Sequence, residues 1–200
     1  VEIHRHFARA SLQIPKGVSL IHLPFEVMAQ VKDGQRSEVK AVARASDLYK
    51  LIGPQQVNLL ICYQTQLQQW ISYLGDESAV GGATDFQLEP ERAVLAMMKE
   101  EIRLELLGNP YPPQNQISLK RGLNLVGIPR RDPRLSRVGD LLSLEGLSGQ
   151  IVSIIVYDQD KFRAIGRAGD AGDRELTGQE GLIVIATEDV QIELSGTSWV

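Results

Sequence analysis

Cysteine is almost missing from this 200-residue chain: Cys62 stands alone, so no internal disulfide can form. It lies inside the apolar, β-branched run VNLLICY (57–63), which marks it as a small buried hydrophobe rather than a reactive thiol. A basic excess is missing too. Lys and Arg number 21 against 25 Asp and Glu, giving a net charge of -4. Nucleic acids and anionic membranes both require a concentrated basic surface, so neither is an expected partner. The basic run PRRDPRLSR (129–137) is short and broken by Pro and Asp, and reads as a solvated loop. No apolar stretch approaches bilayer length, which argues against membrane insertion. The chain opens on Val1 without a signal-peptide pattern, so a processed form or a piece of something larger is expected.

The motifs that announce chemistry are equally scarce. There is no Gly-x-Ser-x-Gly elbow, and all three histidines (His4, His6, His22) precede residue 23, with nothing tying them to a nucleophile. His4 and His6 share one side of an extended segment but have no nearby carboxylate or Cys to complete a metal site. His22 reads as a structural histidine. The loop GRAGDAGDRELTG (166–178) offers Asp170 and Asp173, yet lacks the alternating ligands and terminal Glu of an EF-hand. It also lacks the Lys-Ser/Thr pair of a nucleotide cradle, so it reads as a polar connection between strands. Glu100 and Glu101 fall in a predicted turn and read as solvated. No catalytic residue, metal ligand or cofactor is assigned, the ligand-binding residues stay unknown, and the chain is expected not to be an enzyme.

What is present is an echo. GVSLIHLP from Gly17 and GLNLVGIP from Gly122 pair Gly with Gly, Leu20 with Leu125 and Pro24 with Pro129. Further along, SDLYKLIG (46–53) answers GDLLSLEG (139–146), and VNLLICY answers IVSIIVY (151–157). Trp70 falls opposite Phe162. LEPERAVLAMMKEEIRLELLG (88–108) then lies over LTGQEGLIVIATEDVQIELSG (176–196) without a gap. Matches in one order through two halves point to a tandem duplication of a unit of about 90 residues. The expected division is an extension over 1–10, a first repeat over 11–108, a Pro-rich linker over 109–116 and a second repeat over 117–200.

The duplication decides the fold class. ERAVLAMMKEEIRLELL alone has helical propensity, but its partner GLIVIATEDVQIEL is β-branched and alternates at Val190, Ile192 and Leu194. Ile102, Leu104 and Leu106 alternate in the same register, so both copies are predicted to close on a hairpin. Each unit is therefore expected to hold about five strands and one short helix, making small barrels or the halves of a sandwich; the fold class is mainly β. The first copy carries an inserted hairpin over 25–45, turning at Asp33-Gly34. Residues 1–10 have no counterpart and fit an edge or donated strand. Trp70 and Tyr73, three apart, fall on opposite faces of a strand, and the Trp70–Phe162 match favours a repeated core position over a sugar platform.

GLNLVGIPRRDPRLSRVGDLL (122–142) and AIGRAGDAGDRELTGQEGLIVIA (164–186) resemble repeated β-modules of large, multidomain secreted or surface-attached bacterial proteins with adhesion-type domains. The first half departs from the pattern at EPERAVLAMM, where a glycine is expected opposite Gly181. The resemblance implies an extracellular or cell-surface setting and a non-enzymatic attachment or structural role, as part of a surface protein or the subunit of a fibre. The implied partners are proteins, or further copies joined through sheet edges. A carbohydrate-binding module that takes a glycan, and an enzyme whose site is assembled from scattered residues, are the alternatives.

Overall fold

The computed structural model describes residues 7–33, 36–113, 115–147, 149–158 and 160–199. The first half contains β1 (Ala8–Ile14), β2 (Gly17–His22), β3 (Glu26–Asp33), β4 (Arg36–Ala41), α1 (Ala45–Ile52), β5 (Val57–Gln64), β6 (Gln69–Tyr73), β7 (Ala93–Met98) and β8 (Ile102–Asn109). Its strands form two antiparallel sheets, ordered β2-β7-β5-β6 and β1-β8-β3-β4. The second half contains β9 (Asn115–Leu119), β10 (Gly122–Val126), a 3-10 segment (Val138–Ser143), β11 (Ile151–Asp158), β12 (Lys161–Ile165), β13 (Leu182–Ala186) and β14 (Val190–Leu194). Its sheets run β10-β13-β11-β12 and β9-β14. The chain is mainly β, with one short α-helix among the described residues.

The predicted closing hairpins need correction. β7 and β8 are strands joined by a tight turn, but they do not pair: β7 pairs with β2 and β5, and β8 with β1 and β3. Residues 99–101 instead carry the chain from one sheet into the other. The neighbouring ribbon turns the same corner, because Pro15 has no N–H for the ladder and Gly17 takes φ +92°. Ile14 faces Ile102 before the corner and Gly17 faces Met98 after it. In the second half, Leu119 faces Val190 and Gly122, at φ +98°, faces Ala186.

The inserted segment forms the β3–β4 hairpin, in register from Met28↔Ala41 to Asp33↔Arg36. Gly34 of the expected Asp33-Gly34 turn lies outside the described residues. β1 begins at Ala8 and lies at the end of its own sheet, on β8. Residues 1–6 of the expected extension, including His4 and His6, are outside the described residues.

Alternation along the central strands divides the apolar residues among three clusters. On β7, Val94, Ala96 and Met98 point into the first core with Phe25, Leu48 and Leu60. On β13, Leu182, Val184 and Ala186 point into a second core with Ile117, Leu141 and Ile154. The opposite faces carry Ala93 and Ile183, which meet Leu20, Tyr63 and Leu125 in a third, smaller cluster between the halves. Strands buried on both faces read as unbroken apolar runs, which accounts for VNLLICY and GLIVIA.

Backbone bonds cross this junction in both directions. His22 N–H donates to Gln179 O at 2.8 Å, and Gly127 N–H donates to Glu91 O at 2.8 Å. His22 and Gly127 are opposite each other in the sequence overlay, as are Glu91 and Gln179. Here they also exchange partners. Arg130, from the basic run, is 5% exposed and clamps the Pro-rich segment, donating to Tyr111 O at 2.8 Å and Pro112 O at 2.6 Å.

Candidate functional site

Four aspartates, among them Asp170 and Asp173, hold loops in place. Asp173 accepts from Gly139 N–H at 2.8 Å and Gly169 N–H at 2.7 Å, and pairs with Arg137. Asp85 does the same in the first half, accepting from Ser46 N–H at 2.8 Å, Ser46 Oγ–H at 2.9 Å and Gly81 N–H at 2.7 Å. Asp170 caps its own turn through Gly166 and Arg167, and Asp76 caps another through Ser78. No group of three or more His, Cys, Asp or Glu suited to a metal exists among the described residues. Asp132, in the basic run, is buried against Arg134, whose guanidinium holds it well below the usual carboxylate range.

His22 is buried at the junction, with Nδ1 2.7 Å from Gly178 O and Nε2 2.6 Å from Pro90 O. Burial moves it below its ordinary value, while the two carbonyls and nearby Glu180 act the other way. Cys62 is fully buried, and its thiol is pushed up by desolvation. Tyr73 is 2% exposed, whereas Trp70 is 48% exposed and Phe162 is 54% exposed. The reading of Trp70 as a core position is therefore corrected. Its strand β6 ends a sheet, and the ring lies outside both cores, against the edge of Tyr63.

These aromatics lead to two clefts between the halves. The larger, about 680 Å³, opens between the β1–β2 corner and the β11–β12 turn with the segment 174–180. Its lining holds the carboxylates of Glu101, Asp158, Asp160, Glu175 and Glu180 against the cations of Lys16 and Arg174, with Tyr157 and Ser19 beside them. Asp158 is shared by Arg163 at 3.4 Å and Arg174 at 3.6 Å. Glu180 accepts from Thr177 Oγ–H at 2.6 Å and from Gly178 N–H at 3.0 Å. The Tyr157 hydroxyl bonds to Asp160, and burial together with that carboxylate raises its titration. Phe162 packs edge-on to Tyr157, with ring centroids 4.9 Å apart.

The smaller cleft, about 280 Å³, repeats this arrangement from the other side. Tyr63 lines it, with Trp70 packed edge-on at 5.0 Å. Glu89, Glu91 and Arg92 stand where the larger cleft has Thr177, Gln179 and Glu180 in the gapless overlay. Arg92 pairs with Glu89, and burial raises Glu91.

No family model matches this chain, and no curated protein or solved structure matches it. The site must therefore be read from its own geometry. Sequence reasoning matched Trp70 with Phe162 but assigned both to a repeated core position. It read Glu101 as solvated and did not connect it with Asp158, Asp160, Glu175 and Glu180, because these carboxylates approach one cleft from different halves. The readable signal was the Tyr63/Tyr157 correspondence, followed in each half by an aromatic.

Proposed function

We propose that the chain is a non-enzymatic attachment module of an extracellular or cell-surface protein, built from two copies of one unit. Support for the duplication comes from contacts that recur at matched positions. The Asp85 and Asp173 locks hold equivalent loops, and Asp47 Oδ2 accepts from Arg44 N–H as Asp140 Oδ2 does from Arg137 N–H. The sheets β2-β7-β5-β6 and β10-β13-β11-β12 follow one order and carry a register shift at one place, Val57/Leu59 and Ile151/Ser153.

The observation that carries the attachment reading is the pair of half-exposed aromatics, Trp70 and Phe162, on strands that end their sheets. Large exposed rings on an open edge mark contact surfaces, and an unpaired edge also offers backbone groups to another chain. Light scattering over a concentration series, with electron microscopy, tests this. Self-association that weakens in Trp70→Lys and Phe162→Lys variants is expected; a strictly monomeric species without filaments removes the assembly form of the reading.

Exposed rings beside carboxylates also favour a second reading, a carbohydrate-binding module. A glycan array in which Trp70→Ala and Phe162→Ala lose the signal supports it, and an array without hits removes it.

A further inference from the structure

We propose that the larger cleft receives a cationic side chain, a lysine ammonium or an arginine guanidinium presented by a partner protein. This rests on the attachment reading and gives the partner's chemistry. The cleft is lined by five carboxylates and two cations, and one of those cations, Arg174, is already shared with Asp158. Glu101, Asp160 and Glu175 have no cation within ion-pair distance among the described residues. In a recess flanked by protein, such charges attract an incoming cation more strongly than they would on an open surface.

A second, independent feature lies in the same lining. Ser19 is 5% exposed, and its Oγ has no partner among the described residues. Its counterpart in the sequence overlay, Asn124, is fully engaged: it accepts from Lys120 N–H at 2.8 Å and donates to Lys120 O and Gly122 O. A buried hydroxyl left without a partner is costly unless something binds to it, and an ammonium or guanidinium N–H supplies a donor. The Tyr157–Phe162 pair adds aromatic surface beside the carboxylates, suited to the stem and charge of Lys or Arg.

The smaller cleft serves as an internal comparison. It has the same tyrosine and aromatic pair, but under half the volume, and Arg92 already neutralises Glu89 there. The preference of a cation for the larger cleft follows from substitutions between the copies: Glu180 stands where the first copy has Arg92.

The test uses the full chain with pentalysine and pentaarginine as probes, and pentaglutamine as the neutral control, followed by calorimetry and by backbone NMR shifts. Saturable binding is expected for the basic peptides alone, with shifts centred on Tyr157, Asp158, Asp160 and residues 174–180. Binding should weaken about tenfold in Asp160→Asn/Glu175→Gln and fall with added salt, because the pairing is charge-assisted. Glu89→Gln, in the smaller cleft, should leave it unchanged, and Ser19→Ala should weaken it several-fold. Absence of saturable binding, equal affinity in Asp160→Asn/Glu175→Gln, or shifts centred elsewhere overturns the proposal. A neutral glycan that occupies the cleft in place of the basic peptides overturns it as well. If the peptides fail to bind while the chain still self-associates through β6 and β12, only this inference falls. If they bind while the chain stays monomeric, the cleft stands and the assembly reading falls.

Discussion

Asp85 is 1% exposed and is surrounded by donors: the N–H and hydroxyl of Ser46 and the N–H of Gly81. Asp85→Asn keeps the size but turns an NH₂ toward one of these donors. That change should lower unfolding free energy by about 1–3 kcal/mol, measured by urea denaturation, with Asp173→Asn behaving alike. The sequence contained both residues in matched loops, but it did not reveal what they bind. Beyond a glycine four residues back, their partners lie 34–39 residues away at the start of the helical segment, where no local pattern points to them. His22 belongs to the same scale. Burial sets its folded pKa below the ordinary 6.5, so between those values the unfolded chain binds more protons than the folded one. Its contribution to stability is therefore fully present above about pH 6.5 and declines as the pH falls below that value. Urea midpoints at pH 7.5 and pH 5.5 should differ in the natural chain, and that difference should shrink in His22→Gln. An equal difference in both chains would assign the pH dependence to other groups.

Among the elements, the central strands show how far pattern reading reaches. Alternation at Ile102, Leu104 and Leu106 correctly outweighed the helical propensity of ERAVLAMMKEEIRLELL, because tertiary pairing dictates what a weak propensity only biases. Pairing partners were less legible. A tight turn between strands suggests a hairpin, yet β7 and β8 join different sheets because the β1–β2 ribbon bends with them at Pro15. The faces were also misassigned. Trp70 was given to a core on its match with Phe162, but it is half-exposed on a strand that ends its sheet, against Tyr63 of the third cluster. That cluster offers a test of the element scale. Ile183 projects from β13 toward Leu20, Tyr63 and Leu125. Ile183→Ala should cost about 2–5 kcal/mol in urea unfolding, as expected for a buried large-to-small change. A cost below 1 kcal/mol would mean that the cluster contributes little to holding the sheets together.

At the scale of the whole molecule, each half has its own core, and the two are joined by a thinner layer of contacts. That layer includes the third cluster and the reciprocal backbone bonds at His22 and Gly127, with Arg130 clamping residues 111 and 112 of the connecting segment. Both clefts lie along it, so whatever governs the junction also governs the candidate site. Gly127 is the critical position, because a Cβ there would stand 2.0 Å from the His22 ring. Gly127→Val should force the imidazole out of place and separate the halves while sparing both cores. The two tryptophans allow this to be followed: Trp70 belongs to the first half, and Trp199, which donates to Ile128 O at 2.6 Å, belongs to the second. Single-tryptophan versions made by Trp199→Phe and Trp70→Phe should unfold in urea at one shared midpoint when Gly127 is present. With Gly127→Val the two midpoints should part, and any binding of basic peptide should be lost while each half keeps a cooperative transition. Midpoints that move together would show instead that the junction is as strong as the cores, and that the chain unfolds as a single unit with its cleft fixed in shape.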